Sequence, residues 1–218
     1  MFRQILFTNL RWTRLSLTVM SVVAFVMPAG LWRLASDSRT AAPSAIGLMH
    51  GFEVLGVALV ALAAFSGFGL AAQPWAEDFS GRHVYALSLP IPWSRYVGMR
   101  FGAGALQLLL PTVALWLGCL LVLAQIDLPA TLHAYPVTLA SRFLLGALVS
   151  YAAIFLIQYV SGRRAALTLL VVLLAVSVGM IAAEATGNSA ALSAATRWLF
   201  VWPGPFAVFG ADWMLIDV

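Results

Sequence analysis

The stretch FGAGALQLLLPTVALWLGCLLVLAQI, residues 101–126, holds no charged side chain from end to end. A hydrocarbon core about 30 Å thick is crossed by roughly 20 apolar residues in a helix, so this segment suffices. Working outward, similar runs lie at 15–34, 46–72, 137–161 and 165–183, with the central one extended to 99–126. The second tolerates His50 and Glu53 near its start. Five spanning helices are therefore predicted. A further apolar piece, Trp198 to Val218, contains Pro203, Gly204 and Pro205 and then Asp212 and Asp217. Two prolines around a glycine break a straight span, which predicts a re-entrant element over 198–210. Residues 211–218 then read as the start of a sixth helix, left incomplete.

Composition agrees. Of the 218 residues 62% are hydrophobic and 9% charged, with a mean hydropathy of +0.96. Soluble domains carry about a quarter charged residues, and disordered chains pair low hydrophobicity with high charge. Both classes are excluded. The expected fold is an all-α polytopic membrane protein.

All twelve basic residues are Arg and none is Lys. A Walker A loop and a Schiff-base cofactor site both need Lys, so neither exists in this chain. Any ATP must be bound by another polypeptide. The net charge of +4 reads as Arg gathered at one membrane face and not as a nucleic-acid signature. Cys119 is the single cysteine, which excludes an internal disulfide or a thiolate metal cluster.

Orientation follows from where the Arg residues fall. With the N-terminus inside, Arg3, Arg11, Arg14, Arg82, Arg95, Arg100, Arg163 and Arg164 are cytoplasmic, against Arg33, Arg39, Arg142 and Arg197 outside. The positive-inside rule favours that assignment. The apolar run after Arg14 is about 18 residues, longer than the roughly 7–15 of a signal peptide, and is read as a retained helix.

Two non-spanning segments carry information. Residues 1–14 set Phe2, Ile5, Leu6 and Leu10 against Arg3, Arg11 and Arg14. That pattern predicts a helix lying in the membrane interface; a plain basic flank is the other reading. Residues 73–98, QPWAEDFSGRHVYALSLPIPWSRYVG, are bounded by Pro74 and by Pro90 and Pro92. Between those prolines a short helix is predicted, with Trp75, Phe79 and Ala86 on one stripe and Glu77, Asp78, Arg82 and His83 on the polar side. Such a helix suits docking of a soluble partner. An ordinary solvated loop is the other reading.

The run Glu77-Asp78 … Gly81-Arg82 … Leu87-Ser88-Leu89-Pro90-Ile91-Pro92 … Ser94-Arg95-Tyr96-Val97 resembles the loop between helices two and three of ABC-2 type permeases. The order of elements is similar along nearly the whole chain. The resemblance implies a type V exporter-like fold and a coupling helix within 73–98 seated on an ATP-binding subunit. In that picture Glu77, Asp78, Phe79, Gly81, Arg82, Leu87, Pro90, Arg95 and Arg163 face the ATPase. ATP and Mg²⁺ would lie in the partner, with no cofactor or metal in this chain. A second copy or a related permease chain completes the pathway. The setting is the lipid bilayer of a plasma membrane, the inner membrane in a bacterium. The departure is the C-terminal end, where helix six is barely begun.

Polar groups within spans are functional candidates by default. Glu53 lies about 10 Å from the outer end of helix two, and Arg142 about 8 Å from the outer end of helix four, at 1.5 Å rise per residue. Matching depths suggest an ion pair or a shared cavity; separate snorkelling to the interface is the alternative. His50, one turn before Glu53, is read as its polar neighbour, since no HxxxH motif or third ligand accompanies it. The pairs Gly47/Gly51, Gly98/Gly102 and Gly146/Ser150 are read as helix-packing sites. Trp32, Trp75, Trp93, Trp198 and Trp202 are read as interfacial anchors.

Three function classes meet these residues to different degrees. An ATP-driven transporter subunit, leaning toward export of an amphipathic cargo, leads. A non-transporting scaffold for a peripheral protein needs the same docking face. An intramembrane serine hydrolase is disfavoured, since Ser66 and His50 lie about 24 Å apart along one helix. If Glu53 and Arg142 pair, a cycle of Glu53→Gln, Arg142→Gln and the double variant will be non-additive in thermal stability. Strict additivity removes the pair.

Overall fold

With no water in the hydrocarbon core, each backbone N–H must find its acceptor within its own segment, and apolar runs therefore become helices. The computed structural model describes residues 1–36, 45–80, 92–125 and 133–161, with residues 164, 168, 171, 198, 201, 203, 204, 206–210, 213 and 215–217 beyond them. Side chains are described outside 31–36, 45–55, 57, 77–80, 161, 210, 216 and 217. The described chain is mostly helical. Its elements are α1 (Phe2–Ser36), α2 (Ala45–Ser80), α3 (Trp93–Gln107), α4 (Leu109–Leu123) and α5 (Pro136–Ser161). Four stretches among the described residues are long and apolar enough to cross a membrane: Phe2–Gly30, Ala58–Ala76, Trp93–Leu123 and Pro136–Val160. They make this a membrane protein by length and composition. The predicted fifth span, 165–183, lies outside the continuously described residues.

Several boundaries differ from the sequence-based expectation. The predicted interfacial helix (1–14) and first span (15–34) are one unbroken helix, α1. Nothing between Leu10 and Leu15 interrupts a helical backbone, since neither Gly nor Pro falls there. Pro74 does not end α2, which continues to Ser80. Proline removes one intrahelical bond, and Leu70, Ala71 and Trp75 around it are buried. The third span begins at Trp93 and is divided at Leu108. The division has a covalent cause. Pro111 has no N–H to give to the Gln107 carbonyl, so the chain tightens, and the Thr112 hydroxyl donates to the Leu108 oxygen at 2.8 Å.

Within the bundle, α2 packs along α5, and α1 packs along α4 and α2. Leu59, Ala63, Leu70, Leu115, Phe143 and Ala147 form a fully buried seam. Small residues permit the closest approaches: a Cβ at Gly67 would come 2.6 Å from Ser150 Cβ, and one at Gly104 would come 2.5 Å from the Tyr151 ring. Of the predicted packing pairs, Gly98 has open space around it, while Gly146 abuts Phe209 and Trp213. Gly47 and Gly51 lie in α2, where side-chain surroundings are not described. Val19, Val22 and Val26 on α1 and Leu109, Val113 and Leu117 on α4 point outward, as a lipid-facing surface does.

The far end of the bundle is closed by the last described residues. His133–Ala134 (β1) pairs antiparallel with Ile216–Asp217 (β2), with His133 opposite Asp217. The predicted start of a sixth helix over 211–218 is therefore corrected at 216–217, which are extended. Backbone pairing with β1 competes successfully with helix there; the Tyr135 N–H donates to the Leu215 oxygen at 2.9 Å. Before β2, Trp213 is buried between Gly56 of α2 and Gly146 of α5. Its indole N–H donates to the Val208 oxygen at 3.0 Å, and Phe209 stacks on it with 4° between ring planes. Among the described residues here, the N–H groups of Gly204, Ala207 and Phe209 donate to the oxygens of Val201, Gly204 and Phe206, and Ala207–Gly210 is a 3₁₀ turn. The predicted re-entrant element over 198–210 lies partly outside the described residues.

Identical substitutions at two α3 glycines should separate contact from propensity. Gly104→Ala forces a methyl against Tyr151 and should lower thermal stability by about 1–3 kcal/mol, the range for overpacking. Gly98→Ala meets nothing and should be neutral or slightly stabilising, as Ala exceeds Gly in helix propensity. Equal effects at both sites contradict the packing described.

Candidate functional site: a caged arginine beside the 73–98 segment

Pro92 precedes α3 in an extended conformation (φ −63°, ψ 144°), and its carbonyl accepts from the N–H groups of Arg95 and Tyr96. That start sets the phase of the helix. Tyr96 and Arg100, four residues apart, fall on one face and turn inward. Arg95 falls on the other face and is exposed.

Arg100 is 1% exposed. Its Nη1 donates to the Tyr96 hydroxyl at 2.8 Å. Its guanidinium carbon sits 4.4 Å from the Trp75 ring centroid, 5.6 Å from Tyr96 and 5.9 Å from Trp12. Taking a cation out of water is expensive unless other groups replace hydration, and aromatic faces do so electrostatically, at about 2 kcal/mol or more each when desolvated. Trp75 in turn meets Phe155 edge-on at 5.5 Å and Trp93 at 6.5 Å. Tyr151 donates to the Phe101 carbonyl at 3.2 Å. The cage thus draws one point each from α1 (Trp12), α2 (Trp75) and α3 (Arg100), and α5 buttresses it through Phe155.

A polar ladder runs beside the cage on α1. The Thr13 hydroxyl is 2.9 Å from the Asn9 carbonyl and 3.0 Å from Gln107 Oε1. Ser16 donates to Gln73 of α2. Asn9, Thr13 and Gln107 are all buried. Polar atoms in such surroundings require partners, and these residues partner one another across α1, α2 and α3.

The sequence-selected residues divide as follows. Glu77, Asp78 and Phe79 lie in the last turn of α2, with side chains outside the described set. Gly81, Arg82, Leu87, Pro90 and Arg163 lie outside the described residues. His50 and Glu53 are in α2 as backbone only, while Arg142 is half-buried on α5, so their pairing is not described. Glu53 is 22 residues before Trp75, about 33 Å along a helix, so the two candidate regions occupy different ends of the bundle. Ser66, the serine weighed for hydrolysis, is fully buried between helices. Among the described residues no group of three or more His, Cys, Asp or Glu side chains is placed to hold a metal.

Two assignments need correction. Arg100, counted with the Arg residues of the inner flank, is buried at the centre of the cage. Trp75 is not an interfacial anchor but, at 2% exposure, its wall. Sequence reasoning also missed the ladder, although Asn9, Thr13 and Ser16 recur at helical spacing within a stretch read as amphipathic. No protein-family model, curated protein or solved structure matches this chain.

Among the described residues the arrangement sets no nucleophile beside a base. It joins helices mechanically. A double-mutant cycle on Trp75→Leu and Arg100→Met, read by unfolding in detergent, should give a coupling energy of about 2 kcal/mol. A value near zero means that ring and cation do not support each other.

Proposed function

We propose that this chain is the membrane-spanning subunit of an ATP-binding-cassette transporter of ABC-2 type, acting as an exporter. A separate ATPase docks on the 73–98 segment and binds ATP and Mg²⁺. The observation that carries this reading is the cage: Trp75 at the end of α2 and Tyr96–Arg100 at the start of α3 are locked together, and between them lies the predicted coupling segment. Force on that segment therefore reaches both helices through one joint. The attraction of a ring face for a cation depends on approach within about 6 Å and not on a fixed hydrogen-bond angle, so the joint can shift without coming apart.

Three sequence features support the same reading. The absence of Lys leaves this chain no Walker A loop, and energy from ATP must come from a partner. The 77–97 run resembles the permease loop. The Arg distribution supports a cytoplasmic position for that loop and the N-terminus, and the family resemblance supports the plasma membrane as the setting. One such chain supplies half a pathway, and a second copy or a related chain supplies the rest. A permease subunit of this kind catalyses no reaction itself.

Purification in mild detergent tests the proposal. An ATPase should co-purify, and its turnover should drop when Glu77 and Arg82 are both replaced by Ala. A stable partner that hydrolyses no nucleotide contradicts the transporter and favours a scaffold.

A further inference from the structure

Ile5, Asn9, Thr13 and Leu17 of α1 are buried against the bundle, so the opposite side of these turns faces away from the protein. At about 100° per residue, Phe7, Arg11, Arg14, Thr18, Val22 and Phe25 fall within about 80° of arc on that side. All six are exposed. They form one outward stripe.

Polarity along the stripe changes once. Beyond Arg14 the exposed side chains Leu15, Val19, Val22, Phe25 and Val26 are apolar, as hydrocarbon requires. Thr18 fits among them because its hydroxyl donates to the Arg14 carbonyl at 2.7 Å and so needs no water. Before it stand Arg11 and Arg14, whose charges cannot face acyl chains. Side chains on a helix lean toward its N-terminus, so both arginines reach away from the apolar part of the stripe. The headgroup layer therefore crosses α1 at Arg11 and Arg14.

Continuity identifies what lies there. Val22 is eight residues beyond Arg14, about 12 Å along the helix. A lipid whose chains rest on Val22 and Phe25 carries its headgroup past Thr18 to the two arginines on the same face. Charge then selects the headgroup. Residues 1–36 contain no Asp or Glu, so α1 offers these cations no counter-ion of its own. Arg11 and Arg14, three residues apart, are neighbours on the helix surface. Their guanidinium forks match phosphate oxygens. A zwitterionic headgroup brings an ammonium group that offsets its phosphate, whereas an acidic one brings none.

We propose that Arg11 and Arg14 form a binding site for the phosphate of an anionic membrane lipid whose acyl chains lie along Val22 and Phe25. By this site α1 enriches acidic lipid on its own outward face. The proposal holds whether or not the chain is a transporter subunit.

Fluorescence quenching of the full chain in reconstituted vesicles tests it. A Thr18→Cys variant takes a bimane label at the edge of the site, and Cys119, the native cysteine, is buried. The vesicles hold phosphatidylglycerol and phosphatidylcholine in equal amounts with the same acyl chains, brominated in one lipid or in the other. Bromine quenches at contact, so the ratio of the two measurements reports which lipid lies against the label. Phosphatidylglycerol should be favoured about fivefold or more, the value for one Arg near a lipid surface. Replacing both Arg11 and Arg14 by Gln, at exposed positions, should bring the ratio near one. Arg95→Gln, which removes an exposed cation on α3, should leave the preference in place. If Thr18→Cys does not fold, Val22→Cys on the same stripe gives the same readout. Inorganic phosphate added at constant ionic strength should change nothing; loss of the preference on its addition assigns the site to the free anion and overturns the proposal. A ratio near one with both arginines present overturns it too. So do equal losses from Arg95→Gln and from the Arg11 and Arg14 pair, which indicate diffuse charge.

Discussion

A guanidinium that has lost its water must be surrounded by something that answers its charge, and around Arg100 that need decides how three helix ends meet. Trp12, Trp75 and Tyr96 reach it from α1, α2 and α3. None of these rings can leave without exposing the cation to hydrocarbon or to apolar protein, where the penalty for an uncompensated charge is severe. The phase of α3 is bound to the same requirement: beginning at Trp93 places Tyr96 and Arg100 inward together, and a shift by one residue would carry both off the axis of the cage.

The two ends of the bundle are held by different physics. Beside the 73–98 segment the contacts are cationic, aromatic and hydrogen-bonded, with Thr13, Gln107, Ser16 and Gln73 adding to the cage. At the opposite end the closure is apolar and geometric. Trp213 fills a notch between Gly56 and Gly146, and two short strands tie its neighbourhood to the start of α5. A notch lined by glycine backbone admits one shape of side chain, so this closure resists sliding. The cage depends on proximity and tolerates sliding better. Under the proposed function, motion would therefore concentrate at the caged end.

What was legible in the sequence followed from its strongest signal, apolar length. The four described stretches long and apolar enough to cross a membrane, Phe2–Gly30, Ala58–Ala76, Trp93–Leu123 and Pro136–Val160, fall where long apolar runs stand in the sequence, because hydrocarbon leaves such a run little alternative to helix. Helix ends were less legible. Pro74 and Pro111 are the same residue type in similar runs, yet α2 passes through the first and the chain breaks near the second. Burial beside the two prolines is alike: Leu70, Ala71 and Trp75 are buried around Pro74, and Gln107, Leu108 and Thr112 hold the equivalent buried places around Pro111. Proline removes the same bond in both places, and whether the helix continues past it is not a local property. Arg100 was misjudged for a related reason. Counted with Arg82 and Arg95 it is one more basic residue near a span end, and only the convergence of Trp12, Trp75 and Tyr96 from distant positions distinguishes it.

Length also constrains how α2 can work. Its 36 residues extend about 54 Å. A straight helix tilted by as much as about 40° needs only about 39 Å to cross a 30 Å core, so part of α2 must project beyond it. The apolar window stops at Ala76, and the remaining turn to Ser80, carrying Glu77 and Asp78, extends about 6 Å further. Trp75 sits where that projection begins. The missing backbone bond at Pro74 adjoins it, so the helix loses a hydrogen bond next to a buried side chain that binds it to α3. A push on the projecting turn would therefore neither bend freely at the proline nor move a wholly rigid rod. It would turn α2 about the Trp75–Arg100 contact, and because Arg100 belongs to α3, the same push would move the next helix with it.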